Sequence, residues 1–168
     1  NYRVGPCQYG QELPCPTVDK HLTYFFGAGL SSDMRSRINE SRLWSFEAVS
    51  NWSTSVTTNH DRADLHFLGE NLPGDTLGLY RCSVVQGSRC GHGHIRFDEA
   101  AMDSFEYGVA SRRGLACHET GHGVGLLHPL ATEADTAVHQ CMMTRVNPWP
   151  SGLGSHNAAH LNQSPWYG

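Results

Sequence analysis

A short stretch of the chain, HETGHGVGLLH at positions 118–128, holds residues whose types and spacing could carry out chemistry. In a helix, His118 and His122 differ by about 40° around the axis and by roughly 6 Å along it, so both imidazoles can reach one metal ion. Glu119 points to the side of that ion, where its carboxylate can hold a metal-bound water without being a ligand.

The third histidine, His128, can return to the same ion only if the helix ends abruptly after His122. Gly125 permits that turn, because a left-handed backbone costs most other residues about 1 kcal/mol or more. A structural zinc usually has four protein ligands and would have no use for Glu119. The sequence therefore predicts a catalytic zinc bound by His118, His122 and His128, with Glu119 as general base. Ordinary core or surface histidines are the alternative, and the register of Gly125 and His128 weighs against it.

This pattern, HExxHxxGxxH, resembles the zinc signature of the metzincin peptidases. The resemblance implies a methionine in a tight turn beneath the metal. We choose Met143 in CMMTR (141–145) over Met142, because such turns often place an apolar residue just before the methionine. Thermolysin-like proteases instead take a glutamate from a second helix, and Glu133, the only glutamate after His122, lies too close for that arrangement.

Within the metzincins, ACHETGHGVGLLH (116–128) and NPWP (147–150) make the chain most similar to the snapalysins, small secreted bacterial neutral proteases. Snapalysins generally have an aspartate at the position of His128, are shorter and have fewer cysteines. The resemblance implies a preference for an aromatic residue just after the scissile bond, and a calcium ion for which Asp98 and Glu99 are candidates. The same resemblance implies His94, Arg145, Pro148 and Trp149 as candidate substrate-binding residues.

Strands and helices must position the site, and turn residues and the spacing of apolar residues predict where these elements lie. The predicted strands are 22–26, 54–59, 63–69, 77–85 and 93–99. The predicted helices are 33–52, a second from 107 or 109 to about 123, and a last one near 156–163 capped by Ser155.

These elements predict an α+β fold. By resemblance it is metzincin-like, with a twisted mixed sheet, a backing helix, a zinc-binding helix and a small loop-rich C-terminal subdomain with a terminal helix. We expect one catalytic domain over 1–168. Residues 1–125 would hold the sheet and active-site helix, and residues 126–168 the third ligand and the methionine turn. The resemblance also implies that the strand at 92–97 forms the sheet edge along the cleft.

Composition narrows the class of protein. The chain has 168 residues with 39% hydrophobic content, enough for one core, and no run that could cross a membrane. A net charge of −4 without a basic stripe argues against nucleic acid as a partner.

Six cysteines without a CxxC pair favour disulfides and an extracellular location. Although fifteen pairings are open, we expect Cys7–Cys15 and Cys82–Cys90 to close local loops and Cys117–Cys141 to tie the active-site helix to the methionine turn. Because the sequence begins at Asn1 without an apolar leader, we interpret it as a mature secreted form.

The sequence gives less support for a functional role of the histidines outside the motif. His156 and His160 are spaced as a metal pair, but no nearby acid completes the set, so we expect no second metal there. His92 and His94 either contact substrate or face solvent.

The sequence thus predicts a monomeric, secreted zinc endopeptidase that acts on proteins or peptides. Two alternatives stay open. One is a zinc amidase acting on cell-wall peptides, and the other is a non-catalytic, disulfide-stapled zinc-binding module.

Overall fold

The computed structural model of the chain describes residues 7–9, 14–129, 139–143 and 152–163. Its centre is a mixed five-stranded sheet with the strand order β2-β1-β3-β5-β4. Strand β4 is antiparallel to β5, and the other neighbours are parallel. The strands are β1 (His21–Phe26), β2 (Ser53–Val56), β3 (Leu65–Gly69), β4 (Gly78–Gln86) and β5 (Arg89–Phe97).

α-Helices accompany this sheet, and the longest of them packs on β4 and β5. They are α1 (Ser32–Ser41), α2 (Glu99–Ser104), α3 (Val109–Gly123) and α4 (Ser155–Gln163). Helix α1 begins after Ser31, whose hydroxyl accepts a hydrogen bond of 3.0 Å from the Met34 backbone N–H. Met34 and Ile38 are four residues apart and therefore lie on one side of α1. Because both are apolar, this side faces the core, and both side chains are buried.

Side chains alternate between the two faces of each strand. The face toward the helices forms the core, and its fully buried side chains include Tyr24, Leu65, Phe67, Ile95 and Phe97. The opposite face, which we call the outer face, carries residues of the other parity, including Phe25 on β1 and His66 on β3. The predicted α+β class with a mixed sheet is therefore confirmed.

The predicted helix over 33–52 is too long. The α-helix ends at Ser41 and continues as a π-helical turn, Arg42–Glu47. The Ser50 hydroxyl donates to the Phe46 carbonyl at 2.7 Å, which closes the last turn. Trp52 lies beyond it, and its indole N–H donates to the Leu161 carbonyl of α4 at 3.2 Å. Trp52 is therefore buried by its contact with α4 and not by a longer first helix, although its spacing fitted a helix.

Two further predictions need correction. Strand β5 lies between β3 and β4, so 92–97 is not an edge strand, and β4 is the edge.

Helix α2 was not predicted, because its first residue was included in the predicted strand 93–99. It begins after Asp98, whose carboxylate accepts a 2.8 Å hydrogen bond from the Ala101 N–H.

Three disulfides join the cysteines, pairing Cys7 with Cys15, Cys82 with Cys90 and Cys117 with Cys141. Disulfides of this density fit an extracellular protein. Within the described ranges, no helix is both long and apolar enough to span a membrane.

Candidate metal centre

Helix α3 ends in a sharp reversal that brings the third histidine back. Gly125 has φ +90°, and the Leu126 N–H donates to the Gly121 carbonyl at 2.9 Å. A Cβ at position 125 would lie 2.9 Å from the backbone nitrogen of Pro16. The turn therefore needs glycine for two reasons, its backbone conformation and the approach of a neighbouring segment.

The three histidines of the motif converge on one point. Their Nε2 atoms are 3.0 Å apart for His118 and His122, 3.1 Å for His122 and His128, and 2.9 Å for His118 and His128. A tetrahedral ion with Zn–N bonds of 2.0–2.1 Å would separate its ligand nitrogens by about 3.3 Å. The side chains present thus fit a zinc ion closely.

Hydrogen bonds hold two of these rings in the tautomer that a metal requires. The Nδ1 of His118 donates to the Cys141 carbonyl at 2.6 Å, and the Nδ1 of His122 donates to the Leu126 carbonyl at 2.8 Å. Because a carbonyl only accepts, each Nδ1 carries the proton and each Nε2 offers its lone pair. Burial lowers the pKa of His118 well below its ordinary value and that of His122 to about 4, so both rings are neutral at pH 7.

Glu119 lies beside this cluster and against the edge strand. It is buried, and its carboxylate accepts a hydrogen bond from the Tyr80 backbone N–H. A Cβ at Gly78 would come within 2.7 Å of its Oε1, so β4 leaves room for the carboxylate only because residue 78 has no side chain. Burial raises the pKa of Glu119 to about 8, which suits a group that takes up and releases a proton near neutral pH.

The histidines and Glu119 form one wall of a cleft of about 710 Å³. The cleft is also lined by residues 75–80, of which 78–80 belong to the edge strand β4, and by Phe105 and Tyr107. The arrangement can bind a metal, hold a water between metal and carboxylate, and admit an extended chain along β4. These cleft residues of β4 and of the α2–α3 connection were not predicted, because the pairing order of the strands is not visible in local sequence.

A tight turn at 139–143 lies beneath the cluster. Met142 is fully buried, and its sulfur packs so closely on Gly121 of α3 that a Cβ there would overlap it. Met143 is partly exposed. Met142 is thus the methionine that packs on α3 between His118 and His122, while the assignment of Met143 to the methionine turn stays a prediction.

The remaining candidate residues lie elsewhere. His94 is on β5, paired with His66 in register, and is not among the residues that line the cleft. Arg145, Pro148 and Trp149 lie outside the described residues. The His156 and His160 Nε2 atoms are 2.9 Å apart on α4.

The candidate calcium ligands are engaged with the protein. Asp98 accepts from the Leu72 and Ala101 backbone N–H groups, both at 2.8 Å. Glu99 accepts a 2.8 Å hydrogen bond from the Ser31 N–H and lies 3.7 Å from the Arg112 guanidinium. Both carboxylates therefore stabilise the starts of α1 and α2.

No family model matches the chain, and no curated protein matches it. Among solved structures, one of myroilysin is similar at 13% identity and a TM-score of 0.42, covering 64% of this chain and 48% of that one. A second myroilysin structure has 12% identity and a TM-score of 0.42, covering 79% and 62%. The chain thus spans from about half to three fifths of the length of these proteins.

Proposed function

We propose that the chain is a secreted zinc-dependent endopeptidase. The observation that carries this proposal is the convergence of three imidazole Nε2 atoms, 2.9–3.1 Å apart, beside a buried carboxylate in an open cleft. Three neutral imidazoles suit zinc, and a catalytic site keeps its fourth position for water or substrate. His118, His122 and His128 would be the ligands, with Glu119 as the catalytic residue.

When bound, the zinc would lower the pKa of a coordinated water to about 7 and polarise the carbonyl of the scissile bond. Glu119 accepts a proton from the attacking water and later donates it to the leaving amine, so the peptide C–N bond is replaced by a carboxylate and a free amine. The Tyr80 N–H and the buried wall of the cleft fix the Glu119 carboxylate in place for both transfers.

The edge strand supports an extended peptide as the substrate. Residues 78–80 of the edge strand β4 line the cleft beside the catalytic groups, and a peptide can add to such an edge by main-chain hydrogen bonds. That register would bring one peptide bond to the metal. A preference for an aromatic residue after the scissile bond is part of the proposal and follows from the resemblance to snapalysins.

Hydrolysis of casein and of a quenched peptide library tests the proposal. Glu119→Gln should keep the zinc content of the wild type and lower the hydrolysis rate by about 10²–10⁴-fold. Glu70→Gln is the matched control, because Glu70 pairs with Arg96 at 2.9 Å and is not among the cleft residues. It should retain activity.

Three results would contradict the proposal. Glu119→Gln with wild-type activity would exclude the assigned base. A zinc-loaded chain that cuts peptidoglycan fragments and no library peptide would be an amidase. A zinc-loaded chain that cuts neither would be a binding module.

A further inference from the structure

A second group of three histidines lies on the outer face of the sheet, away from the cleft. His66 is on β3, His92 is on β5, and His60 begins a short 3₁₀ turn, His60–Arg62, that precedes β3. Each offers one ring nitrogen, and these nitrogens all lie within 4.8 Å of one another. Their proximity is not evident from the sequence, because the pairing of β3 with β5 is long-range.

The spacing of these rings is comparable to that of the candidate catalytic centre. Ring centroids are 4.1 Å apart for His60 and His66, 3.9 Å for His66 and His92, and 5.7 Å for His60 and His92. In the candidate catalytic cluster the ring centroids are 4.5 Å apart for His118 and His122, 4.8 Å for His118 and His128, and 4.7 Å for His122 and His128. The widest of these separations involves His60, the exposed member of the group.

Each of the three rings donates one N–H to an oxygen acceptor. His66 donates through Nε2 to the His60 carbonyl at 2.8 Å, and His60 donates through Nδ1 to the Asp61 carboxylate at 3.0 Å. His92 donates to the Ala63 carbonyl. The other nitrogen of each ring therefore carries a lone pair, which is the arrangement that metal-binding histidines share.

The environment also favours the uncharged form of His66 and His92. Burial lowers the pKa of His66 to about 4, and burial together with neighbouring histidines lowers the pKa of His92. A neutral imidazole is the form that coordinates a metal.

We propose that His60, His66 and His92 form a second zinc site, separate from the catalytic centre. Three imidazole nitrogens favour Zn²⁺ over Ca²⁺ or Mg²⁺, which prefer oxygen ligands. The His60 side chain is 62% exposed, so water can supply the fourth ligand. The ion would clip the turn before β3 to the middle of the sheet, and binding to the folded state alone would stabilise the protein.

The number of zinc ions bound per chain tests this inference. The whole chain is stripped with a chelator, reloaded with Zn²⁺, passed over a desalting column and measured by mass spectrometry of the metal. The wild type should bind two zinc ions. His60→Ala and His128→Ala should each bind one, since both residues are exposed and their loss leaves the core intact.

His21→Ala is the matched control. His21 is an exposed strand histidine of the same sheet, and its ring bonds Ser53 at 2.7 Å and Ser55 at 3.1 Å. This variant should still bind two ions. Reloading with Ca²⁺ in place of Zn²⁺ should leave the outer-face site empty.

The outcomes separate the two sites. One zinc in both the wild type and His60→Ala, with none in His128→Ala, would overturn the second site and leave the catalytic one. Two zinc ions in His60→Ala would also overturn it. If a variant fails to fold, histidine ring nitrogen NMR of the wild type decides, because zinc must shift the signals of His60, His66 and His92.

Discussion

Replacing Gly125 by alanine should weaken zinc binding at the catalytic centre, although residue 125 is not a ligand. Gly125 has φ +90°, which costs a residue with a Cβ about 1–2 kcal/mol. Its added Cβ would also lie 2.9 Å from the Pro16 nitrogen and 3.1 Å from the Pro16 Cα, so one of the two backbone segments must move. Since His128 reaches the cluster through this turn, relief of the strain displaces the third ligand.

The expected magnitude follows from that strain. If zinc binding requires the native turn, 1–2 kcal/mol corresponds to an increase in the zinc Kd of about 5- to 30-fold. Competition with a chromophoric chelator measures this Kd. The titration is made in the His60→Ala background, so that one zinc site is observed.

Gly87→Ala is the control for this experiment. Gly87 has φ +61° in the β4–β5 hairpin, and nothing lies within 4 Å of a Cβ placed there. Its substitution should lower the free energy of unfolding by about 1 kcal/mol and leave the zinc Kd unchanged. Equal zinc Kd values for Gly125→Ala and Gly87→Ala would refute the claim that the turn positions His128.

Three further predictions concern the support of the site and its metal. Met142→Ala should lower the free energy of unfolding by about 2–5 kcal/mol in urea titrations, because Met142 is fully buried, and Met143→Ala should lower it less. Equal losses would argue against Met142 as the residue beneath α3. Replacing both Cys117 and Cys141 by alanine should cost about 3–4 kcal/mol, given a separation of 24 residues, and an unchanged urea midpoint would contradict this. A zinc chelator should abolish peptide hydrolysis, added Zn²⁺ should restore it and Ca²⁺ should not; activity that survives complete removal of zinc would exclude the mechanism.

Much of the candidate site could be predicted from the sequence because its geometry is local. The spacing of His118 and His122 is a property of any α-helix, and α3 does extend through both, from Val109 to Gly123. The need for a left-handed residue at Gly125 also follows from local geometry. The short cysteine spacings made local disulfide loops a natural hypothesis.

Features that depend on packing could not be predicted in the same way. Met142 and Met143 are adjacent and chemically identical, and only the contact with Gly121 distinguishes them. From the sequence, either strand of the β4–β5 hairpin could lie at the sheet edge. Because β5 pairs with β3, β4 is the edge strand. His66 and His92 come together through that same pairing.

The central claim is that three imidazoles bind one zinc and leave one position open. Anomalous diffraction at the zinc absorption edge, from crystals of the zinc-loaded chain, tests it most directly. We predict a zinc peak about 2.0–2.1 Å from the Nε2 atoms of His118, His122 and His128, with water as the fourth ligand beside Glu119. The absence of a peak between these rings, or a protein side chain in the fourth position, would contradict the account.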